Sequence, residues 1–231
     1  GAVMRAAAVL FCVMVACGGC SRVADGLAVP PPERAGLYPE LHAIGDKLPG
    51  GTLLTGSQIR EISELPRLEP GQAVDAMFRS TTDATVCAAG YSLAESASYE
   101  KHEAARIELY VEESDVARLH TVGNAVVTFS DDATARQQFQ RFNGLMARCD
   151  AITSATHTQR DPSSWKLSIT SADTADEVAW TRSVVDSSWT CYMAARQRAN
   201  FVASSMFCTH GSDNKAGNVL DRLTLKLSGA R

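Results

Sequence analysis

The chain lacks a long apolar run. The N-terminal stretch Ala6–Ala16 has only eleven residues, fewer than the about 18–20 that a membrane-crossing helix needs. It lacks a surplus of positive charge: the formal net charge is −4, so no global basic field draws it to nucleic acid. It has no glycine-rich phosphate loop and no GxSxG elbow. Its five histidines, His42, His102, His120, His157 and His210, show neither HxxxH nor HxH spacing. No cysteine pair beyond residue 20 has CxxC spacing, which argues against zinc and thioredoxin-like sites. These absences leave no catalytic residue, no metal ligand and no cofactor to nominate, and the chain is read as a non-enzyme.

One enzyme-like pattern fails on geometry. Ser163-Ser164-Trp165-Lys166 matches SxxK and Ser212-Asp213-Asn214 matches SDN, in the order that penicillin-binding enzymes use. That chemistry needs serine and lysine one helical turn apart. Trp165, Leu167 and Ile169 instead alternate as in a strand, which points Ser163 and Lys166 to opposite faces. Asp131-Asp132 has the same bland explanation: adjacent carboxylates at a helix start cap it.

What the chain does have begins with Met4-Arg5, a minimal positive region, followed by the apolar run and small residues, the pattern of a signal peptide. Cys17-Gly18-Gly19-Cys20-Ser21 comes next and resembles a bacterial lipobox, in which a cysteine thiol takes a diacylglycerol. Cys20 is the expected lipidation site and Cys17 the alternative. The expected organisation is a lipoprotein signal over 1–19, a lipid-anchored Pro-rich linker over 20–54 and one domain over 55–231. Pro30-Pro31-Pro32, Pro39 and Pro49 make the linker a semi-extended tether. The expected location is extracytoplasmic, held to the cell membrane by lipid. Of seven cysteines, Cys87, Cys149, Cys191 and Cys208 remain for the domain, an even number bound for an oxidising compartment.

Ser188–Gly211 reads as two alternating strands about a tight turn at Ala199-Asn200. In that register opposed residues sum to 399, so Cys191 faces Cys208. Further strands are expected at Thr85–Ala89, carrying Cys87, at Ala105–Val111, Asn124–Phe129 and Trp165–Ile169, and at Glu177–Val185, where Val178, Trp180, Arg182 and Val184 share a face. Leu68–Ser80 looks turn-rich. Helices are expected from Ser57 to Leu65, capped by Ser57, and after Ser130-Asp131-Asp132. In the second, Ala135, Phe139, Phe142, Met146 and Cys149 form one stripe, which brings Cys149 within reach of Cys87. A last helix, capped by Ser212-Asp213, carries Ala216, Val219, Leu220, Leu223 and Leu227. About six antiparallel strands and two main helices make an α+β fold.

Three stretches carry a family resemblance: Leu53-Leu54-Thr55 with Ile59; Val127-Thr128-Phe129 ahead of the helix ending in Cys149; and Trp189-Thr190-Cys191 leading to Asn200 and Phe207-Cys208. Over most of residues 50–231 they resemble the PknH-like extracellular domain family. That family comprises the sensor domain of a mycobacterial serine/threonine kinase and lipid-anchored copies without a kinase domain, of which this chain looks like one. The resemblance implies an antiparallel sheet, two helices, a V-shaped cleft, and disulfides Cys87–Cys149 and Cys191–Cys208. Met146 stands where the family usually has tryptophan, and Phe201–Phe207 is less valine-rich than its counterparts. The expected function is ligand binding in the cleft, with Trp180, Arg182, Trp189 and Tyr192 as candidate contacts. The expected partners are the membrane, an unidentified small-molecule or envelope ligand and an envelope protein; a protein-interaction module without a small-molecule site is the alternative.

Overall fold

The structure is a computed structural model and describes residues 40–45, 47–80, 82–155 and 164–229. The signal segment, Cys17, Cys20, the triple proline and Ser163 lie outside the described residues. Leu37–Arg231 forms one compact unit. Every described helix and strand, both hydrophobic clusters and both disulfides lie within it, so the unit buries its own core.

In chain order the elements are α1 (Gly56–Ser63), β1 (Glu69–Val74), a 3₁₀ turn (Thr85–Gly90), β2 (Ala104–Glu113), β3 (Arg118–Thr128), α2 (Asp132–Ala147), β4 (Thr153–Ala155), β5 (Ser164–Thr174), β6 (Glu177–Val184), β7 (Thr190–Arg198), β8 (Phe201–Thr209) and α3 (Ala216–Leu227). The strands form one antiparallel sheet in the order β1-β2-β3-β8-β7-β6-β5-β4. It has eight strands where about six were expected. The two extra strands are its edges. Glu69–Val74 reads as a turn because it holds Pro70-Gly71, but an edge strand needs backbone pairing on one side only and tolerates proline there. Its register breaks between Pro70 and Ala73. The other edge, β4, is only three residues long.

Cys87 sits in the 3₁₀ turn and not in a strand. Thr85-Val86-Cys87 has strand-like residues, but the segment packs under α2 and its disulfide. The helix caps also differ from expectation. Thr55, not Ser57, caps α1 through a reciprocal capping box with Gln58, and the helix ends at Ser63 with Glu64 in the left-handed region. Lys215 stands at the N-cap of α3, and Asn214 Oδ1 accepts from the Ala216 N–H in place of Ser212 or Asp213. Asp131 caps α2 as expected, accepting from Thr134 N at 2.7 Å.

Alternation along the strands divides two cores between the faces of the sheet. On one face Ile107, Ala125, Val127, Val202, Met193 and Trp180 pack with α2, whose buried stripe is Ala135, Phe139, Phe142 and Met146. On the other, Tyr110, Val122, Val126, Ala203 and Phe207 pack with α1 and α3. The incoming chain joins this second core through Leu48, Leu53 and Leu54. It is held by Asn200, fully buried in the β7–β8 turn. The Asn200 side chain accepts from Leu41 N (2.8 Å) and donates to Leu41 O (2.7 Å) and Phe129 O (3.0 Å).

Two disulfides pin the layers. Cys87–Cys149 ties the 3₁₀ turn to the second residue beyond α2. Cys191–Cys208 joins directly opposed residues of β7 and β8, with Cα atoms 3.9 Å apart. The hairpin register is the expected one, since Arg198 pairs with Phe201.

Candidate functional site: a groove at the end of the sheet beyond α2

Helix α2 covers only part of its face. Its first residue, Asp132, lies at the β7–β8 turn, where Gln197 Nε2 donates to Asp132 Oδ1 at 3.0 Å. From there its stripe runs over Phe142–Trp180 and ends with Met146 close to Gly90 and Leu167. Beyond it, toward the opposite end of the strands, the same sheet face floors a groove of about 740 Å³. That volume lies within the about 300–1,000 Å³ typical of small-molecule sites.

Strand register builds the groove. One row across the sheet runs Thr121–Cys208–Cys191–Arg182, paired in that order from β3 to β6. The next row toward α2 contributes Leu109 and Met206, with Gly123 between them. Gly123 permits this: a Cβ there would stand 2.7 Å from the Leu109 and Leu93 side chains. At the outer end Trp165 pairs with Val184, while Trp189 and His210 sit with ring centroids 4.8 Å apart. Ser92 forms part of one wall, and Glu113 and Arg118, bridged at 2.8 Å, flank the β2–β3 turn.

Arg182 is the principal charged group of the floor. Its guanidinium carbon stands 4.1 Å from the Trp165 ring centroid and 4.5 Å from that of Tyr91. Nη1 donates to the Tyr91 carbonyl, and Nη2 approaches Cys191 Sγ at 3.7 Å. Loss of hydration lowers its pKa from 12.5 to about 10, against the opposing pull of Tyr91 and Glu95, which leaves it a cation at neutral pH. Glu95 is buried and accepts from both the N–H and the hydroxyl of Ser80. Desolvation raises its pKa above the ordinary carboxylate value, although Ser80 and Arg182 act in the other direction.

The four candidate contacts separate. Arg182 and Trp189 line the groove. Trp180 does not: it is 2% exposed beneath α2, its Nε1 donates to Gly90 O at 2.8 Å and its ring meets Phe142 edge-on. It is a core residue. Tyr192 points to the opposite face, packs with the second core, and its hydroxyl donates to Gly211 O. Trp165, Met206, Leu109 and His210 complete the groove without having been nominated. The signal for them was the cross-strand parity that links Trp165, Arg182, Cys191, Cys208 and Thr121 on one face.

An open antiparallel sheet, helices on both faces and two disulfides define a stapled α+β domain suited to an oxidising compartment. The chain belongs to the PknH-like extracellular domain family, which matches residues 46–226, and is thus a sensor-like extracytoplasmic domain. Among solved structures it is similar to the extracellular domain of PknH from Mycobacterium tuberculosis, with a TM-score of 0.69 and 19% identity over 77% of this chain and 93% of that one. No curated protein matches it significantly. The family is that of a kinase's extracellular domain, not of its catalytic one. Among the described residues no helix is long and apolar enough to cross a membrane.

Proposed function

We propose that this is a cell-envelope lipoprotein, anchored through Cys20, whose extracytoplasmic domain binds a ligand in the groove. The observation that carries the reading is the groove beyond the end of α2. There a row of strand-register residues, two tryptophans and an arginine converge on a concavity of ligand size. Strands β5 and β6 hold Trp165 and Arg182, which favours a pre-formed site. The 1–19 signal, the 20–54 linker and lipidation rest on the sequence pattern, with Cys17 as the other thiol that the same pattern allows.

Two mass measurements test the reading. Protein isolated from the membrane fraction is expected to carry a diacylglyceryl adduct on its N-terminal peptide at Cys20; a cleaved, unmodified secreted form removes the anchor. Native mass spectrometry of the same preparation is expected to show a reproducible small molecule that is lost when Met206→Trp fills the groove. Retention of a protein partner with no small molecule transfers the function to an interaction module.

A further inference from the structure

The charge arrangement of the groove indicates the chemistry of its ligand. At its mouth Arg118 is already compensated by Glu113. On its floor Arg182 is not. Both of its hydrogen-bond acceptors, the Tyr91 carbonyl and the Cys191 sulfur, are neutral. Among the described residues no carboxylate forms an ion pair with it. Glu95, the acid that acts on it through space, gives both oxygens to Ser80. Nε of Arg182 has no hydrogen-bond partner. A guanidinium offers five N–H donors in a planar fork suited to carboxylate or phosphate. Two aromatic faces, Tyr91 and Trp165, and the more distant Glu95 offset part of its lost hydration, but no anion stands in contact with its N–H fork.

The ground beside Arg182 is apolar. Leu109, Met206 and the Cys191–Cys208 sulfurs make a continuous floor from the arginine toward β2. Cation and apolar track thus lie side by side on one rigid surface.

We propose that the groove takes a single-chain anionic amphiphile, its acidic head on Arg182 and its alkyl chain along Met206 and Leu109. This deepens the groove reading and rests on it. A free fatty acid and an alkyl phosphate derived from phospholipid share this chemistry.

The test titrates oxidised 37–231 with dodecanoate, dodecyl phosphate and neutral dodecanamide, each kept below micelle formation, by calorimetry and tryptophan emission. Both acids are expected to bind 1:1, with the amide weaker by about tenfold or more, the effect of one charge-assisted hydrogen-bonded contact. Arg182→Gln should bring the acids down to the amide, while Arg136→Gln, at an exposed charge on α2 outside the groove, changes them by less than about twofold, as expected for a screened surface charge. A preference for the phosphate or for the carboxylate identifies the source, and either supports the proposal. If Arg182→Gln fails to fold, the acid–amide comparison on the unmodified protein and the loss of all three ligands in Met206→Trp carry the test. Equal binding of acid and amide overturns the acidic head and leaves the groove standing. Failure of all three probes, with a different small molecule retained from the envelope, overturns the amphiphile alone. Failure of all three with no retained molecule removes the groove reading as well.

Discussion

Asn200 shows how much one side chain holds. Its amide ties the incoming chain at Leu41 to the β7–β8 turn and satisfies the Phe129 carbonyl at the end of β3. Asn200→Ala deletes three hydrogen bonds and orphans a buried carbonyl. The expected cost is about 2–4 kcal/mol, read as a lower urea midpoint at unchanged m-value. Asn200→Asp should cost more at neutral pH, since it sets a carboxylate against two carbonyl oxygens; a neutral effect of either would overturn this role. At the same scale the sequence was half legible. Parity along a strand put Arg182 on one face with Val178, Trp180 and Val184, and the strand pairing Arg182–Cys191 makes that the face of the cross-strand disulfide. Applied one residue further it would have put Tyr192 on the other face, where the structure has it. Trp180 is different. It shares a face with Arg182 two residues away, and only the length and placement of α2, a tertiary fact, decide which of them is covered.

The elements legible in the sequence are those with strong periodicity or a built-in ruler. The α2 stripe is one, and the 399 register of the hairpin is another. Elements stabilised chiefly by their neighbours were not legible: β1 exists because β2 offers an edge, and β4 because β5 does. The two staples join elements of different kinds, and this sets their relative worth. Cys87 and Cys149 are separated by 62 residues, Cys191 and Cys208 by 17. Loop-closure entropy assigns about 4 kcal/mol to the first and about 3 kcal/mol to the second. The double variant Cys87→Ala/Cys149→Ala is therefore expected to lose about 1 kcal/mol more than Cys191→Ala/Cys208→Ala in equilibrium urea unfolding. The reverse order would mean that contacts of the cross-strand pair, including that with Arg182, outweigh chain entropy.

Across the whole molecule the sheet has two differently equipped ends. At the β7–β8 turn end it is covered on both faces and receives the chain through Leu41. At the other end it carries the groove. The nine residues of β8 span about 26 Å at the usual rise per residue, so Leu41 and the outer end of the groove lie at opposite ends of the sheet. This polarity should appear in amide hydrogen exchange, where protection follows burial and pairing. In the free domain β3 and β8, central and covered on both faces, are expected to exchange slowest, and the edges β1 and β4 fastest. Dodecanoate should add protection at Thr190–Met193 and Met206–Thr209 and leave Arg198–Phe201 unchanged, because the first two segments lie beneath the proposed ligand and the third is the hairpin turn at the other end of the strands. Added protection spread evenly over the sheet would mean that the amphiphile tightens the fold without occupying the groove. Protection confined to the α3 face would place its site in the second core, and the inference about Arg182 would fall with it.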